Sequence, residues 1–440
     1  MSPSLATTSA VEWIVRHPFS LPITTSRWRL RITNQSSSVG TTVTGVNAGF
    51  GVPGYNAIGR EDGTITAGTE IATGVTVPGN ADWVSDWVTA QGAQWAPNVR
   101  KMITVVFALP SGNYAKTTAL GFGKAGNGVS VNHVSTTETG FSYFPIGILD
   151  IRVEYEYVQS DTSLNKVGVL WGHSVDAVSP NPSDASVQYA LSGDKVWSTL
   201  LGAKAGYGVT NLAISAATLT DFGSTSWRLD RVPAEVANSV DFGIITLGGN
   251  DLLLGASFAA LQSRLKTTVD LMRSTYPNMK ELYFANQFPV GTYASYNGAA
   301  VLTQDVASGG TTFVADRDLG NIAVSIGEGR YTIASARQET RTITSRTGSA
   351  PGPWTHTVSS AFSRPHFAGE IVGGDMEKVR WQYNEYTSSL PFGATGVIDL
   401  VKPLQWNAKP YRLDYRYDTG DGVHWLNAAH SAIASYNSLK

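Results

Sequence analysis

Five short and almost unbroken apolar runs, at residues 167–171, 209–214, 242–247, 282–285 and 397–401, constrain this chain more than any other feature. A strand without polar alternation has both faces covered, which is the condition of a parallel sheet wrapped by helices. Helical periodicity fills the intervals, at 194–205, 229–239, 258–274 and 377–389, and returns at 427–439. Within the third of these, Leu261, Leu265, Val269 and Met272 recur every three or four positions and make one apolar stripe. Strands alternating with helices predict an α/β fold. Its core is a doubly wound parallel sheet of five strands, with the site at the C-terminal strand ends.

Two stretches lie outside that alternation. Residues 1–160 hold short alternating segments, the clearest at 28–33, 102–109 and 151–158, with Thr64-Ile65-Thr66 a shorter one. Clusters such as Gly51-Val52-Pro53-Gly54 and Pro110-Ser111-Gly112-Asn113 separate them as turns, which predicts an N-terminal β-sandwich. Residues 301–372 are strand-like and turn-rich, without a clear helix, and are expected to form a small inserted β-domain. The expected division is 1–160 for the sandwich, 165–300 with 373–440 for the α/β domain, and 301–372 for the insert.

Composition narrows the function. With 32 Lys and Arg against 34 Asp and Glu, net charge is −2 and no basic cluster stands out, so nucleic acid and anionic membranes are not expected partners. The absence of Cys removes disulfides, thiolate metal sites and a cysteine nucleophile. No apolar run nears the ~20 residues that span a bilayer. The first 19 residues, with Glu12, Arg16 and His17, lack the apolar core of an export signal. His17 and His133 stand alone and are read as structural. His356 and His366 lie ten apart in the insert with no third ligand suggested, so no metal is assigned. Trp83, Trp87 and Trp95 lie close together in the first domain; packing is the favoured reading, stacking on sugar rings the other.

Candidate chemistry collects at strand ends. Gly172-His173-Ser174 follows the first run, where a serine at the rim of the sheet can serve as nucleophile. Gly248-Gly249-Asn250-Asp251 follows the third; its Gly pair permits a tight turn, and Asn250 can present an amide N–H to an oxyanion. The small residues Ser215-Ala216-Ala217-Thr218, after the second run, let a backbone N–H approach a substrate oxygen. Last comes Asp421-Gly422-Val423-His424, an Asp three residues before a His in a Gly-rich turn that leads into a helix. On one turn, the Asp421 carboxylate can hold Nδ1–H of His424 while Nε2 faces a cleft.

With these residues in this order, the chain resembles the SGNH (GDSL-type) hydrolase superfamily over roughly residues 165–300 and 373–440. The string from Asp421 to His430 is similar to that family's last block, and Gly248-Gly249-Asn250-Asp251 to its third. The resemblance implies a flavodoxin-like sheet and a serine esterase with Ser174 as nucleophile, His424 as base and Asp421 as orienter. It also implies an oxyanion hole made of the Ser174 and Ala216 backbone N–H groups and the Asn250 side chain. No cofactor is implied. His173 stands where the family has Asp, which leaves open how the nucleophile loop is held. Ala216 replaces a Gly, keeping the backbone donor while adding a methyl to the pocket.

Residues 28–34, 76–79 and 85–88 are similar to the jelly-roll-like β-domain that precedes the catalytic domain in some members. Segments 311–314, 327–333, 342–344 and 366–372 resemble small β-modules of bacteriophage tail proteins. Together these imply hydrolysis of O-acyl, foremost O-acetyl, esters on a cell-surface polysaccharide by a virion tail component or an extracellular protein. A lipid or mycolyl ester substrate stays open. So do a non-catalytic adhesin that keeps the fold to bind host glycan, and homo-oligomer or tail-assembly partners.

Overall fold

The structure, a computed structural model, describes residues 4–7, 11–20, 24–34, 42–55, 61–79, 81–89, 99–109, 112–115, 121–126, 142–144, 149–157, 166–177, 196–213, 217–223, 232, 234–288, 299–321, 323–327, 339–349, 352–406, 409–413, 416–417 and 425–439. The chain forms two compact units. One is Met1–Ala216 with Trp227–Asp241 and Ser438–Lys440, and the other Ala217–Ser226 with Phe242–Asn437.

The first unit contains the β-sandwich. One sheet runs Ser142–Phe144, Gly121–Gly126, Val11–Ser20, Arg100–Leu109, Val43–Tyr55, Glu61–Val77; the other runs Leu149–Tyr157, Thr25–Asn34, Asp82–Val84. Strand Thr25–Asn34 shows why they stack. Its alternate residues Trp28, Leu30 and Ile32 are wholly buried with Val43, Val46, Phe50, Ile103 and Val105 from the facing sheet. Arg27, Arg29 and Arg31 point the other way, a period of two read directly as inside and outside. There Arg27 pairs with Glu156 at 2.6 Å, Arg29 with Glu154 at 2.7 Å, and Arg31 with both Glu154 and Asp82, at 2.5 and 2.9 Å. Gly51-Val52-Pro53-Gly54, expected as a turn, instead lies inside strand Val43–Tyr55, with Pro53 opposite Ile65. At Gly51 a Cβ would come within 2.9 Å of Thr66 O, so the glycine permits close approach of two strands rather than a reversal.

The parallel sheet has the order Tyr207–Asn211, Lys166–Trp171, Phe242–Ile245, Glu281–Ala285, Gly396–Ile398. In sequence terms that is 2-1-3-4-5, the doubly wound order, and all four residues of the central strand Phe242–Ile245 are buried. Helix Phe258–Thr275 buries the predicted stripe Leu261, Leu265, Val269 and Met272, and starts at Ser257, whose Oγ accepts the Ala260 N–H at 3.3 Å. Among the described residues, no helix is long and apolar enough to cross a membrane.

Within the second unit, six strands form a sheet of order Ala299–Val301, Ile371–Gly374, Ala323–Gly327, Glu339–Gly348, Trp354–Val358, Thr312–Ala315. Its first and last strands meet: Leu302 bridges Ala315, Asp316 N–H donates to Val301 O at 3.0 Å and Thr303 N–H to Val314 O at 2.9 Å. The sheet thus closes into a small barrel around Leu302, Phe313, Val324, Ile326, Ile343 and Val372.

Both histidines of this barrel are buried in its fabric. His366 Nδ1 faces Glu370 at 2.7 Å and its Nε2 faces Glu339 at 3.3 Å, so the ring bridges two carboxylates on opposite sides. Among the described residues no group of three His, Cys, Asp or Glu is placed to hold a metal. His356 stacks on Phe313 at 4.8 Å and its Nε2 accepts the Leu319 N–H at 3.2 Å. Burial pushes its imidazole down to about 4. An unfolded His356 takes up a proton near pH 6.5, whereas the folded one resists until about 4, so acidification through that window favours the unfolded chain. His356→Gln, which keeps an acceptor for Leu319, should lower the loss of stability between about pH 6.5 and about pH 4 by on the order of 1–3 kcal/mol. Urea midpoints of the two proteins across that range measure it.

Candidate active site

Ser174 opens the short helix Ser174–Ala177, with only Gly172 and His173 between it and strand Lys166–Trp171. His173 and Ser174 are 4% and 7% exposed, so the segment is largely folded into the protein. Asp176 holds it. Asp176 Oδ2 accepts the His173 N–H at 3.1 Å, while His173 O accepts the Asp176 N–H at 3.0 Å. An acidic residue three positions into a helix that reaches back to the cap N–H is the carboxylate half of a capping box. Asp176 Oδ1 also accepts the Trp197 Nε1–H at 2.9 Å, and its backbone O accepts the Asn211 Nδ2–H at 2.8 Å. Asn211 Oδ1 in turn accepts the Ala213 N–H at 2.9 Å. The loop at His173 is therefore fixed by a wholly buried carboxylate three residues later. Reading the sequence missed Asp176; its spacing from His173, just past a strand end, was the available signal.

Asn250 lies in helix Gly249–Leu253, close behind strand Phe242–Ile245. Gly248 makes the turn at φ +124°, where a Cβ would come within 2.8 Å of the Tyr383 ring. Tyr383 is buried against this turn and donates its hydroxyl to Leu247 O at 3.1 Å; burial pushes the phenol well above its ordinary range. Gln287 Nε2 donates to Thr246 O at 2.9 Å and to Leu247 O at 3.3 Å. Gln287 is itself clamped: Asn384 Oδ1 accepts its N–H at 2.6 Å, while Arg380 and Asn384 each donate to its backbone O at 2.8 Å. Asn250 donates one Nδ2–H to Ala217 O at 2.9 Å. A carboxamide nitrogen carries two hydrogens, so a second N–H is left to donate to a ligand.

Asp421, His424 and Ala216 lie outside the described residues, as do Trp95 and His133. Ser174 and Asn250 are the predicted site residues that the structure places, each in a helix just beyond a strand, and the two strands are neighbours in the sheet order. Ser174 carries a hydroxyl and Asn250 a carboxamide. His430, in the last helix, is buried against Trp425, and burial pushes its imidazole down to about 3. Trp87 is not a free platform, because the guanidiniums of Arg27 and Arg29 each sit 4.4 Å from its ring; Trp83 packs on the sandwich core.

No protein-family model matches the chain, and no curated protein matches it. Among solved structures it is similar to a protein of the G-D-S-L family from Desulfitobacterium hafniense DCB-2, at 13% identity over 62% of this chain and 97% of that one, with a TM-score of 0.34. It is similar to a carbohydrate acetylesterase from Sinorhizobium meliloti at 11% identity, over 62% of this chain and 96% of that one, with a TM-score of 0.33. A salicylyl-acyltransferase from a tetracycline biosynthetic pathway matches at 11% identity over 96% of this chain and 79% of that one, with a TM-score of 0.33.

Gly248→Ala tests the turn. The new methyl meets Tyr383 in a backbone region that L-residues avoid, so stability should fall by about 1–3 kcal/mol, read from the urea midpoint.

Proposed function

We propose that this protein is a serine esterase that hydrolyses O-acyl, foremost O-acetyl, esters on a cell-surface polysaccharide. The observation that carries the reading is the position of Ser174 and Asn250 beyond two neighbouring strands of the parallel sheet. Ligands of open parallel sheets bind outside the carboxyl ends of the strands. Ser174 follows the first and Asn250 the third.

In the proposed reaction His424, oriented by Asp421, takes the proton of the Ser174 hydroxyl as Oγ attacks the ester carbonyl. The resulting oxyanion is held by the second Asn250 N–H and by the Ser174 and Ala216 backbone N–H groups. The ester C–O bond breaks, and the alcohol leaves with the proton returned by His424. Water, activated by the same His, then releases the carboxylic acid and frees the serine. The roles of His424, Asp421 and Ala216 come from the motif resemblance. The polysaccharide substrate and a virion tail setting rest on the accompanying β-domains, and no metal or cofactor enters the proposed reaction.

Purified protein is expected to release p-nitrophenol from p-nitrophenyl acetate, and Ser174→Ala to abolish that turnover. Asn250→Ala should cut kcat by about 10²–10³-fold, the usual effect of removing one oxyanion donor. Undiminished turnover in Ser174→Ala contradicts the assignment. An array of acetylated and deacetylated glycans with the same control identifies the natural ester.

A further inference from the structure

The proposed reaction uses Asn250 and leaves its neighbour Asp251 without a role. Asp251 is wholly buried, and its two carboxylate oxygens face two different elements. Oδ1 accepts from Arg264 Nη1 at 2.8 Å, on helix Phe258–Thr275. Oδ2 accepts the Leu219 N–H at 2.8 Å, where helix Leu219–Gly223 begins. Its backbone O accepts the Ala256 N–H at 2.9 Å, closing the loop behind it. A carboxylate removed from water survives only when partners replace its hydration, so this group is fixed in place by its bonds.

The segment Asp251 grips is the one that Asn250 also touches. Ala217 O accepts from Asn250, Leu219 N–H donates to Asp251, and Leu219 O accepts from Thr268 Oγ1 at 3.1 Å. Thr268 and Arg264 both belong to helix Phe258–Thr275, one turn apart. The dipeptide Asn250-Asp251 thus holds the 217–219 segment at an acceptor and a donor, while the long helix anchors the other side. Ala216, another of the proposed oxyanion donors, directly precedes that segment in the chain.

We propose that Asp251 is a positioning residue for the acyl-transfer reaction. By locking residues 217–219 to Arg264 it sets the direction of the Asn250 amide, whose one N–H is committed to Ala217 O and whose other N–H thereby takes a fixed line. This rests on the serine esterase reading. A donor that must meet an oxyanion at hydrogen-bond distance loses most of its effect when it swings, so the consequence falls on kcat rather than on KM.

The test is a double-mutant comparison on p-nitrophenyl acetate. Asp251→Ala is expected to lower kcat by about 10–100-fold with KM changed less than about twofold, and Asp251→Asn, which keeps an acceptor for Leu219 N–H, to recover a large part of that loss. In an Asn250→Ala background, neither Asp251 variant should lower kcat by more than about twofold further, because the group it positions is gone. Should Asp251→Ala not fold, Asp251→Asn and Arg264→Gln carry the same comparison in both backgrounds. Equal fold-losses with and without Asn250 overturn the proposal alone, as does a lowered melting temperature with unchanged kcat. A wild-type protein without Ser174-dependent turnover overturns the esterase reading and this proposal with it.

Discussion

A parallel sheet with both faces covered leaves its strand ends as the place where polar chemistry can emerge, and the proposed site follows from that constraint. All four residues of Phe242–Ile245 are buried, and the last four of Lys166–Trp171 are too. Each strand is followed within four residues by a short helix carrying a polar side chain, Ser174 in one case and Asn250 in the other. A charge or hydroxyl cannot sit along these strands without losing water and gaining nothing in return. The same rule makes the supporting residues polar: Asp176, Gln287, Asn384 and Asp251 are all buried, and each is hydrogen-bonded to backbone.

The β-rich parts meet the other difficulty of sheets, which is exposed edges and faces. In the barrel, the meeting of Leu302 with Ala315 joins the first strand to the last and removes the open edge. In the sandwich, the outer face of Thr25–Asn34 is covered by a ladder of arginines and acids, with Trp87 beneath two guanidiniums. That arrangement uses the tryptophan's ring faces internally, which weakens the case for a sugar platform there and favours packing.

Much of the α/β core was legible in the sequence because its signals are local. An unbroken apolar run such as 242–247 marks a doubly covered strand, and Leu261, Leu265, Val269 and Met272 mark a helix face without reference to anything distant. The position of Ser174 and Asn250 just beyond strand ends was legible for the same reason, since each stands shortly after such a run. What local pattern could not carry was pairing across the chain. Gly51 to Gly54 read as a turn because Gly and Pro usually break strands; only the partner strand, with Thr66 O pressed close, explains them as strand residues. Gln287 clamps a turn forty residues away, and Asp251 grips a segment thirty-two residues before it, so neither could be assigned a duty from its neighbours. Asp176 is the intermediate case, a local capping pattern overlooked beside the more conspicuous His173.

The central claim is that Ser174 is an activated nucleophile. Treatment with a fluorophosphonate, followed by mass spectrometry of the digested protein, tests it directly, since the reagent phosphonylates serines whose hydroxyl is activated by a base. The account predicts one modified peptide, with the adduct on Ser174, and no modification in Ser174→Ala protein. No adduct at high reagent, or an adduct elsewhere that persists in the variant, would contradict it.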